Sequence, residues 1–241
     1  MRHKTLIVVL LIAVAGAVGF YVLLTKSGPP QPANPVPVAP AGPPVNIDEL
    51  NAKAEAGDVA SQIRLGWAYQ KGEGTKPNMK EAVKWFRKAA DQNAPDALAA
   101  LGEMTQAGQG VQRDVKEAVR LYRLAAEQGS VAGQYNLAYL YEQGEGVVHS
   151  ETNAAHWYRL AAEGGDPIAQ YDLGQRYMLG VGVSTNRIEA CKWLTLAAVQ
   201  GQADSGRLLP DLKSQMSFAE IAEAGRLVKD FAPRASTNSV P

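Results

Sequence analysis

Residues 165–200 read GDPIAQYDLGQRYMLGVGVSTNRIEACKWLTLAAVQ, and this stretch decides the fold because it is one copy of a unit that recurs every 36 residues. The copies span 57–92, 93–128, 129–164 and 165–200, and a degenerate fifth begins at Gly201. Stacked without gaps, they share one leucine and two glycine columns: Leu65, Leu101, Leu137 and Leu173; Gly72, Gly108, Gly144 and Gly180; Gly74, Gly110, Gly146 and Gly182. Self-similarity at a period of roughly 20 to 50 residues indicates a repeat array.

The first half of each copy predicts an amphipathic helix. In the fourth copy the apolar stripe follows the helical spacing i, i+1, i+4, i+5 and i+8, at Ala169, Gln170, Leu173, Gly174 and Tyr177. Pro167 precedes this stripe at the first helical turn, where its missing N–H costs nothing. The glycine that follows predicts the end of the helix, because glycine adopts the left-handed conformation of a C-cap.

The second half of each copy predicts another helix. An N-cap residue begins it in all four copies, at Asn78, Asp114, Ser150 and Asn186. Three positions later stand Glu81, Glu117, Asn153 and Glu189, so three of the four pairs form a capping-box-like start. We expect small residues of the first helix (Gly66, Gly102, Ala138, Gly174) to face large ones of the second (Trp85, Leu121, Trp157, Trp193). One such pair cannot bury its apolar surface, so the pairs are predicted to stack into an all-α solenoid.

The unit resembles a known repeat family. The pattern G-D-x-x-A-Q-x-x-L-G-x-x-Y, followed by G-x-G-V and A-x-x-W-x-x-x-A-A, is nearly unbroken over residues 165–182. It resembles the Sel-one-like repeats (SLR), which are related to the tetratricopeptide repeats, and the resemblance covers residues 46–232. It implies a right-handed α-solenoid. The second copy fits least well, since Asn93 replaces glycine, Leu98 replaces glutamine and Thr105 replaces tyrosine.

The segments that precede the repeats predict a membrane anchor and a linker. Residues 5–24 carry no charge for 20 positions, which is the length of a bilayer-spanning helix. Basic residues lie mainly before this segment, so residues 1–4 are predicted to be cytoplasmic and the repeats periplasmic, on a bacterial inner membrane. The alternative is a cleaved signal peptide, which would release a secreted protein. Residues 27–45 hold eight prolines and no charge, and predict an extended linker.

Atypical units are predicted to cap both ends of the solenoid. Asn46 begins a short helix that reaches Ala56, and residues 201–232 form a degenerate last unit. Within that unit Ser217 and Glu220 have the spacing of a capping box before the last helix. Residues 233–241 are predicted to be a disordered tail.

No residue pattern predicts an active site, a metal site or a cofactor site. Cys191 shares a helix-interior column with alanine and valine, which favours a buried structural role. His149 and His156 lack a carboxylate or cysteine at metal-ligand spacing and are predicted to lie on the surface. The G-x-G pairs follow helices rather than strands, so turn geometry explains them better than nucleotide binding does. Lys+Arg and Asp+Glu both number 24, without a clustered basic face, which argues against a nucleic-acid partner.

What remains is a candidate protein-binding surface. By resemblance to tetratricopeptide arrays, positions 7, 11 and 14 of each unit line the concave side of the solenoid. We call these residues, together with Ala99, the stripe: Ile63, Trp67 and Gln70; Glu103 and Gln106; Tyr135, Tyr139 and Glu142; Tyr171, Gln175 and Met178. Aromatic residues flanked by amides and acids are typical of binding hot spots. For Tyr135 and Tyr171, packing between adjacent helices is the alternative role.

The sequence therefore favours a membrane-anchored periplasmic scaffold or adaptor that binds a protein or peptide, a function implied by the resemblance. A cell-wall ligand binder or weak hydrolase acting on peptidoglycan-like substrates is the alternative. It requires convergent titratable groups along the stripe, where the sequence offers Glu103 and Glu142. A purely architectural subunit of a larger complex is a third hypothesis.

Overall fold

The computed structural model describes residues 46–234, which form eleven helices and, within that range, no strand. The helices are α1 (Ile47–Glu55), α2 (Val59–Lys71), α3 (Met79–Ala90), α4 (Pro95–Ala107), α5 (Val115–Glu127), α6 (Val131–Gln143), α7 (Glu151–Glu163), α8 (Pro167–Leu179), α9 (Arg187–Val199), α10 (Ala203–Ser214) and α11 (Phe218–Lys229). The predicted membrane segment 5–24 and linker 27–45 lie outside the described residues. Between residues 46 and 234, no helix has the length and apolar character needed to cross a membrane.

Each copy of the repeat folds into two helices that pack against each other and against the next copy. The four pairs are α2 with α3, α4 with α5, α6 with α7, and α8 with α9, and every helix contacts its chain neighbours from α1 to α10. The first helices of the second and third copies, α4 and α6, also touch directly. Helix pairs that contact only nearby pairs are the organisation of an α-solenoid.

The predicted N-cap residues and C-cap glycines are confirmed. The predicted capping-box role of the glutamates Glu81, Glu117 and Glu189 is not observed, because their side chains pair with Lys84, Arg120 and Lys192 one turn later. Asn78, Asp114, Ser150 and Asn186 each accept a hydrogen bond from a backbone N–H of the first turn of the helix that follows. The four C-cap glycines Gly72, Gly108, Gly144 and Gly180 are left-handed, with φ between 67° and 77°. The reciprocal capping box of Ser217 and Glu220 is also present. Local capping chemistry therefore sets where these helices begin and end.

The prediction of which side chains face the small residues was wrong by one position. A Cβ atom added at Gly66 would collide with the ring of Phe86, and one added at Gly102 would collide with Tyr122. Phe86 and Tyr122 each follow the residue that was expected to make this contact, Trp85 and Leu121. Since consecutive residues of a helix point about 100° apart, the column with Trp85, Leu121, Trp157 and Trp193 packs elsewhere. Trp85, for example, lies in a cluster with Ala54 and Leu65, against α1.

A glutamine bridge ties most copies to the preceding one. The side-chain amides of Gln62, Gln134 and Gln170 are buried and donate to the carbonyl oxygens of Ala54, Ala126 and Ala162, at 3.0, 3.3 and 3.1 Å. The second copy has Leu98 at this position, so the carbonyl of Ala90 lacks the equivalent donor. The interface between the first two copies is therefore built differently from the others.

The last two helices cover the apolar end of the fourth pair. Leu212 of α10 and Ala224 of α11 are buried in one cluster with Leu194 and Cys191. The ring of Phe231, just after α11, lies edge-on to Trp193 with 5.5 Å between ring centroids. Cys191 is 2% exposed, as predicted for a structural cysteine, and burial raises the pKa of its thiol.

Candidate functional site

The stripe residues lie on the first helices of the four pairs, and all eleven predicted site residues are partly buried. Only Ala99, which belongs to the same columns, is fully buried. The first helices follow one another in the stack, and α4 touches α6, so the stripe runs across neighbouring elements. Partial burial leaves these side chains fixed by packing on one side and accessible on the other.

Several stripe residues also hold the second helix of their own pair. Gln106 accepts a hydrogen bond from the Tyr122 hydroxyl at 3.1 Å, and Glu142 accepts one from the Tyr158 hydroxyl at 2.8 Å. Buried hydroxyl groups need such partners, because an unpaired polar group is costly away from water. These two stripe residues therefore have a structural role besides any binding role.

Two aromatic stripe residues also pack on the second helix of their own pair. Trp67 lies edge-on to Phe86 at 4.9 Å between ring centroids, and Tyr135 lies edge-on to Tyr158 at 5.4 Å. Such aromatic pairs stabilise by about 0.5–1.5 kcal/mol beyond their area burial. The packing role considered for Tyr135 is thus observed.

The remaining stripe residues have fewer internal bonds. Tyr171 accepts a hydrogen bond from Gln175 at 2.9 Å, which joins two stripe positions on α8. Tyr139 packs beside the buried Leu137 and Leu140 cluster. Burial raises the pKa of the Glu103 carboxyl. The stripe is therefore a mixed surface in which aromatic and amide groups surround a partly desolvated acid.

An ionic network at the third and fourth copies was not anticipated from the sequence. Arg176 is only 5% exposed, forms an ion pair with Glu142 at 2.7 Å and donates a hydrogen bond to Glu151 at 2.6 Å. Its guanidinium also lies 4.9 Å from the ring centroid of Tyr158. A buried arginine with two carboxylates and an aromatic face has its charge well compensated. The network fixes α8 against α6 and α7.

Asp172 completes this network with an unusual ionisation. Burial raises the pKa of its carboxyl to about 7, and the negative charge of Glu142 adds to that rise. The positive charge of Arg176 opposes the rise, as does hydrogen bonding to the Tyr135 hydroxyl. Burial disfavours the charged form of a carboxyl, and a nearby carboxylate disfavours it further. Asp172 is therefore the stripe-adjacent group that changes charge near neutral pH.

A signal for this network is present in the repeat columns. Arg176 occupies a position that holds Ala68, Met104 and Leu140 in the other copies, so a charged residue replaces apolar ones. A charge placed in a buried column requires partners. Column comparison could have identified Arg176, but it could not have identified which carboxylates it binds.

The two candidate histidines lie on the surface, as predicted. His149 is exposed and makes a 2.7 Å contact from Nδ1 to the carbonyl oxygen of Glu142. His156 is exposed on α7 beside Trp157. Residues 46–234 contain no group of three or more histidine, cysteine, aspartate or glutamate side chains placed to hold a metal ion.

The stacked pairs, their glycine turns and the stripe define a helix–turn–helix repeat protein of the SLR class. A family model described as Sel1 repeat matches residues 59–93, 95–130, 131–166 and 167–202, which together make up more than half of the chain. The chain therefore belongs to the Sel1 repeat family, and the resemblance inferred from the sequence is confirmed.

Solved and curated relatives agree with this assignment. A protective antigen of uropathogenic Escherichia coli strains, which displays an SLR fold, matches with a TM-score of 0.68 at 34% identity over 77% of this chain and 41% of that chain. A Sel1 repeat protein from Oxalobacter formigenes matches with a TM-score of 0.65 at 32% identity, over 69% of this chain and 48% of that one. The secretory immunoglobulin A-binding protein EsiB of Escherichia coli O6:H1 is 40% identical over 45 residues, which are 19% of this chain and 9% of EsiB. This chain spans less than half the length of each of these relatives.

Proposed function

We propose that this protein is a membrane-anchored scaffold or adaptor that binds a protein or peptide along its stripe. Sel1 repeat proteins are generally protein–protein interaction scaffolds. The observation that carries the proposal is the stripe itself, in which Trp67 on α2, Tyr135 and Tyr139 on α6, and Tyr171 on α8 are partly exposed among amide side chains. Rigid, amphipathic aromatic side chains supply most of the energy at protein interfaces.

A relative with a binding function supports the same reading. EsiB is, by its name, a secretory immunoglobulin A-binding protein, so at least one relative of this chain binds a protein. The match covers one repeat length only, and the partner of this chain is therefore proposed by class, as a protein or peptide.

The binding surface is tested by capturing partners in cells. We would crosslink and affinity-purify the full-length protein and compare it with the Gln70→Ala/Tyr139→Ala double variant. Neither side chain makes a hydrogen bond to a residue between 46 and 234, so this variant disturbs the fold less than removal of Trp67, which packs on Phe86. The matched control is Val148→Ala, at a side chain that is 87% exposed and outside the stripe.

The proposal expects one specific envelope protein with the wild type and the control, and its loss with the double variant. If the double variant, folded by circular dichroism, retains the same partner, the stripe is not the binding surface.

The proposed location rests on residues 5–24. We place these residues in the inner membrane with the repeats in the periplasm, because the segment is uncharged and follows basic residues. Carbonate extraction of membranes is expected to leave the full-length protein in the pellet, whereas a variant lacking 5–24 becomes extractable. Protease added to spheroplasts is expected to digest the repeats. Release of the full-length protein by carbonate would contradict the anchor.

One observation favours the cell-wall alternative as a second candidate. Asp172 and Arg176 lie beside the stripe residue Glu142, and burial raises the pKa of Asp172 to about 7. Perturbed carboxyl groups of this kind occur at binding and catalytic sites as well as in structural networks. Binding of muropeptides or β-lactams to the purified protein, with loss in Asp172→Asn, would support this candidate. A lack of binding would leave the network as a structural one.

A further inference from the structure

The second copy contains a pocket at the place where the other copies hold two aromatic side chains. Positions 13 and 29 of the unit are tyrosine and tryptophan in three copies: Tyr69 and Trp85, Tyr141 and Trp157, Tyr177 and Trp193. In each of those copies, the two rings share one apolar cluster. The second copy has Thr105 and Leu121 instead.

The space left by these smaller side chains is open. A cavity of about 580 Å³ lies between α3, α4 and α5, and both Thr105 and Leu121 line it. Its apolar wall is completed by Leu98, Leu101 and Leu124. The volume falls within the range of about 300–1,000 Å³ that is usual for ligand pockets. No predicted stripe residue lines this cavity, so it is a separate surface feature.

The polar part of the pocket also follows from the repeat pattern. In the third copy the Tyr141 hydroxyl accepts a hydrogen bond from Arg123 at 3.2 Å, and in the fourth the Tyr177 hydroxyl accepts one from Arg159 at 2.9 Å. Arg87 occupies the equivalent position in the first copy, which precedes the second, and it lines the cavity. Thr105 has no phenol group that could reach Arg87. Its hydroxyl donates instead to the Leu101 carbonyl within its own helix, at 2.7 Å.

Arg87 is thus left without the partner that its equivalents have. Its guanidinium is exposed and donates no hydrogen bond to any residue between 46 and 234. Its positive charge lowers the pKa of the nearby Glu117, but both carboxylate oxygens of Glu117 already accept hydrogen bonds from Arg120 at 2.8 Å. The pocket therefore combines an apolar wall with a charged rim that contains Asp91, Arg113, Asp114, Glu117 and Arg120. Among the arginines of this rim, Arg113 and Arg120 are hydrogen-bonded to carboxylates, whereas the guanidinium of Arg87 is not.

We infer that this pocket receives a tyrosine side chain from a protein partner, with the ring against the leucine wall and the phenol oxygen accepting a hydrogen bond from Arg87. The incoming side chain reproduces the arginine–tyrosine contact that joins the second copy to the third and the third to the fourth. The phenylalanine ring would fill the same space but leave the guanidinium without an acceptor. Because no stripe residue lines the pocket, this inference and the proposed function can fail independently.

The inference is tested by NMR with two small probes, N-acetyl-tyrosinamide and N-acetyl-phenylalaninamide. Methyl resonances of Thr105, Leu98 and Leu121 in the full-length protein are expected to shift with the tyrosine probe. Binding of the phenylalanine probe is expected to be roughly tenfold or more weaker, because the hydrogen bond to the charged group is missing. Arg87→Gln should remove that difference, whereas the control Arg123→Gln, whose tyrosine partner is internal, should not.

A filled-pocket variant supplies the decisive comparison. Thr105→Tyr/Leu121→Trp gives the second copy the side chains of the others, so it is expected to abolish the shifts and to raise Tm. Thr105→Tyr alone is the fallback if the double variant does not fold. The inference is overturned if the tyrosine probe causes no methyl shifts at its solubility limit, if the shifts persist in the filled variant, or if both probes bind equally well.

Discussion

Asp172 should make the stability of the protein depend on pH. Its pKa is raised to about 7 in the folded state, from an ordinary value of 3.8. The folded state therefore binds more protons than the unfolded state between these values, and stability falls as pH rises from about 4 to about 7. The decline from this one group approaches at most about 1.4 kcal/mol per pH unit. Asp172→Asn should flatten this part of the profile and stabilise the protein at pH 8.

Urea unfolding of the wild type and Asp172→Asn at several pH values measures this effect. The exposed Asp211→Asn is the control, and its profile should parallel that of the wild type. A constant difference between wild type and Asp172→Asn from pH 4 to pH 8 would show that Asp172 ionises normally.

A second prediction at the level of single residues concerns Gly182, in the turn of the fourth copy. Its φ is +70°, and an added Cβ atom would overlap the backbone carbonyl of Glu151. Gly182→Ala should therefore destabilise by roughly 2 kcal/mol or more, since neither the backbone conformation nor the neighbouring carbonyl can adapt cheaply. Gly206, inside α10, has no atom near the same added Cβ. Gly206→Ala should be neutral or stabilise by up to about 1 kcal/mol.

Thermal unfolding of the two glycine variants compares them directly. A Tm for Gly182→Ala equal to that of the wild type would mean that the turn is not in close contact with α7.

At the level of the helix, the second copy lacks a cap that the others have. Asp58, Ser130 and Asp166 accept a hydrogen bond at the start of α2, α6 and α8, but Ala94 offers none at the start of α4. Ala94→Ser should stabilise by about 1 kcal/mol, and Ser130→Ala should destabilise by a similar amount. The two sites are 8% and 5% exposed, so the substitutions are matched in burial.

Chemical denaturation of the two capping variants should give changes of opposite sign. Destabilisation by Ala94→Ser would indicate that the buried site cannot accommodate a hydroxyl group.

What could be predicted from the sequence is what depends on local chemistry. N-caps such as Asn78 and C-cap glycines such as Gly72 act on their own helix, so the columns located the helix ends correctly. The side chain that faces Gly66 depends on how two helices are rotated against each other. Trp85 and Phe86 are adjacent in sequence, and the repeat pattern is equally regular at both positions, so the pattern predicts Trp85 although Phe86 makes the contact.

The candidate site also separates into features set by local sequence, which could be predicted, and contacts between helices, which could not. The spacing of the repeat predicts which positions form the stripe, and the structure places them on first helices, partly exposed except for the buried Ala99. That these residues bind a partner stays a prediction. The partners of Glu142 could not be predicted, because Arg176 and Tyr158 come from other helices. In the sequence, the pocket of the second copy corresponds only to the departures Asn93, Leu98 and Thr105 from the repeat pattern. A departure of this kind does not reveal whether neighbouring side chains fill the space that it leaves.

Over residues 46–234, each pair is held mainly by its neighbours. The bonds that cross between copies repeat with the unit: glutamine amides reach the preceding carbonyls, and arginines reach the following tyrosines. The interface between the first and second copies lacks both contacts, because Leu98 and Thr105 replace the glutamine and the tyrosine. In a solenoid stability is a sum of unit and nearest-neighbour terms, so this interface is expected to be a weak link.

Removing the whole second copy should therefore preserve the fold. Deletion of 93–128 joins Gln92 to Gly129 in register and places Arg87 where Arg123 faces Tyr141. It also brings the Ala90 carbonyl to the position where Ala126 accepts from Gln134. Both repeating contacts are restored across the new interface, so we expect a single cooperative thermal transition by circular dichroism, with unchanged helix content per residue.

The control for this deletion removes half a unit, 93–110, which takes away α4 and leaves α5 without its partner helix. We expect that variant to lose helix content and to unfold over a broad temperature range. If the whole-unit deletion behaves in the same way as the half-unit deletion, the second copy contributes more than nearest-neighbour contacts. The copies would then not be interchangeable, and the stability of the whole stack would depend on the interface around Thr105.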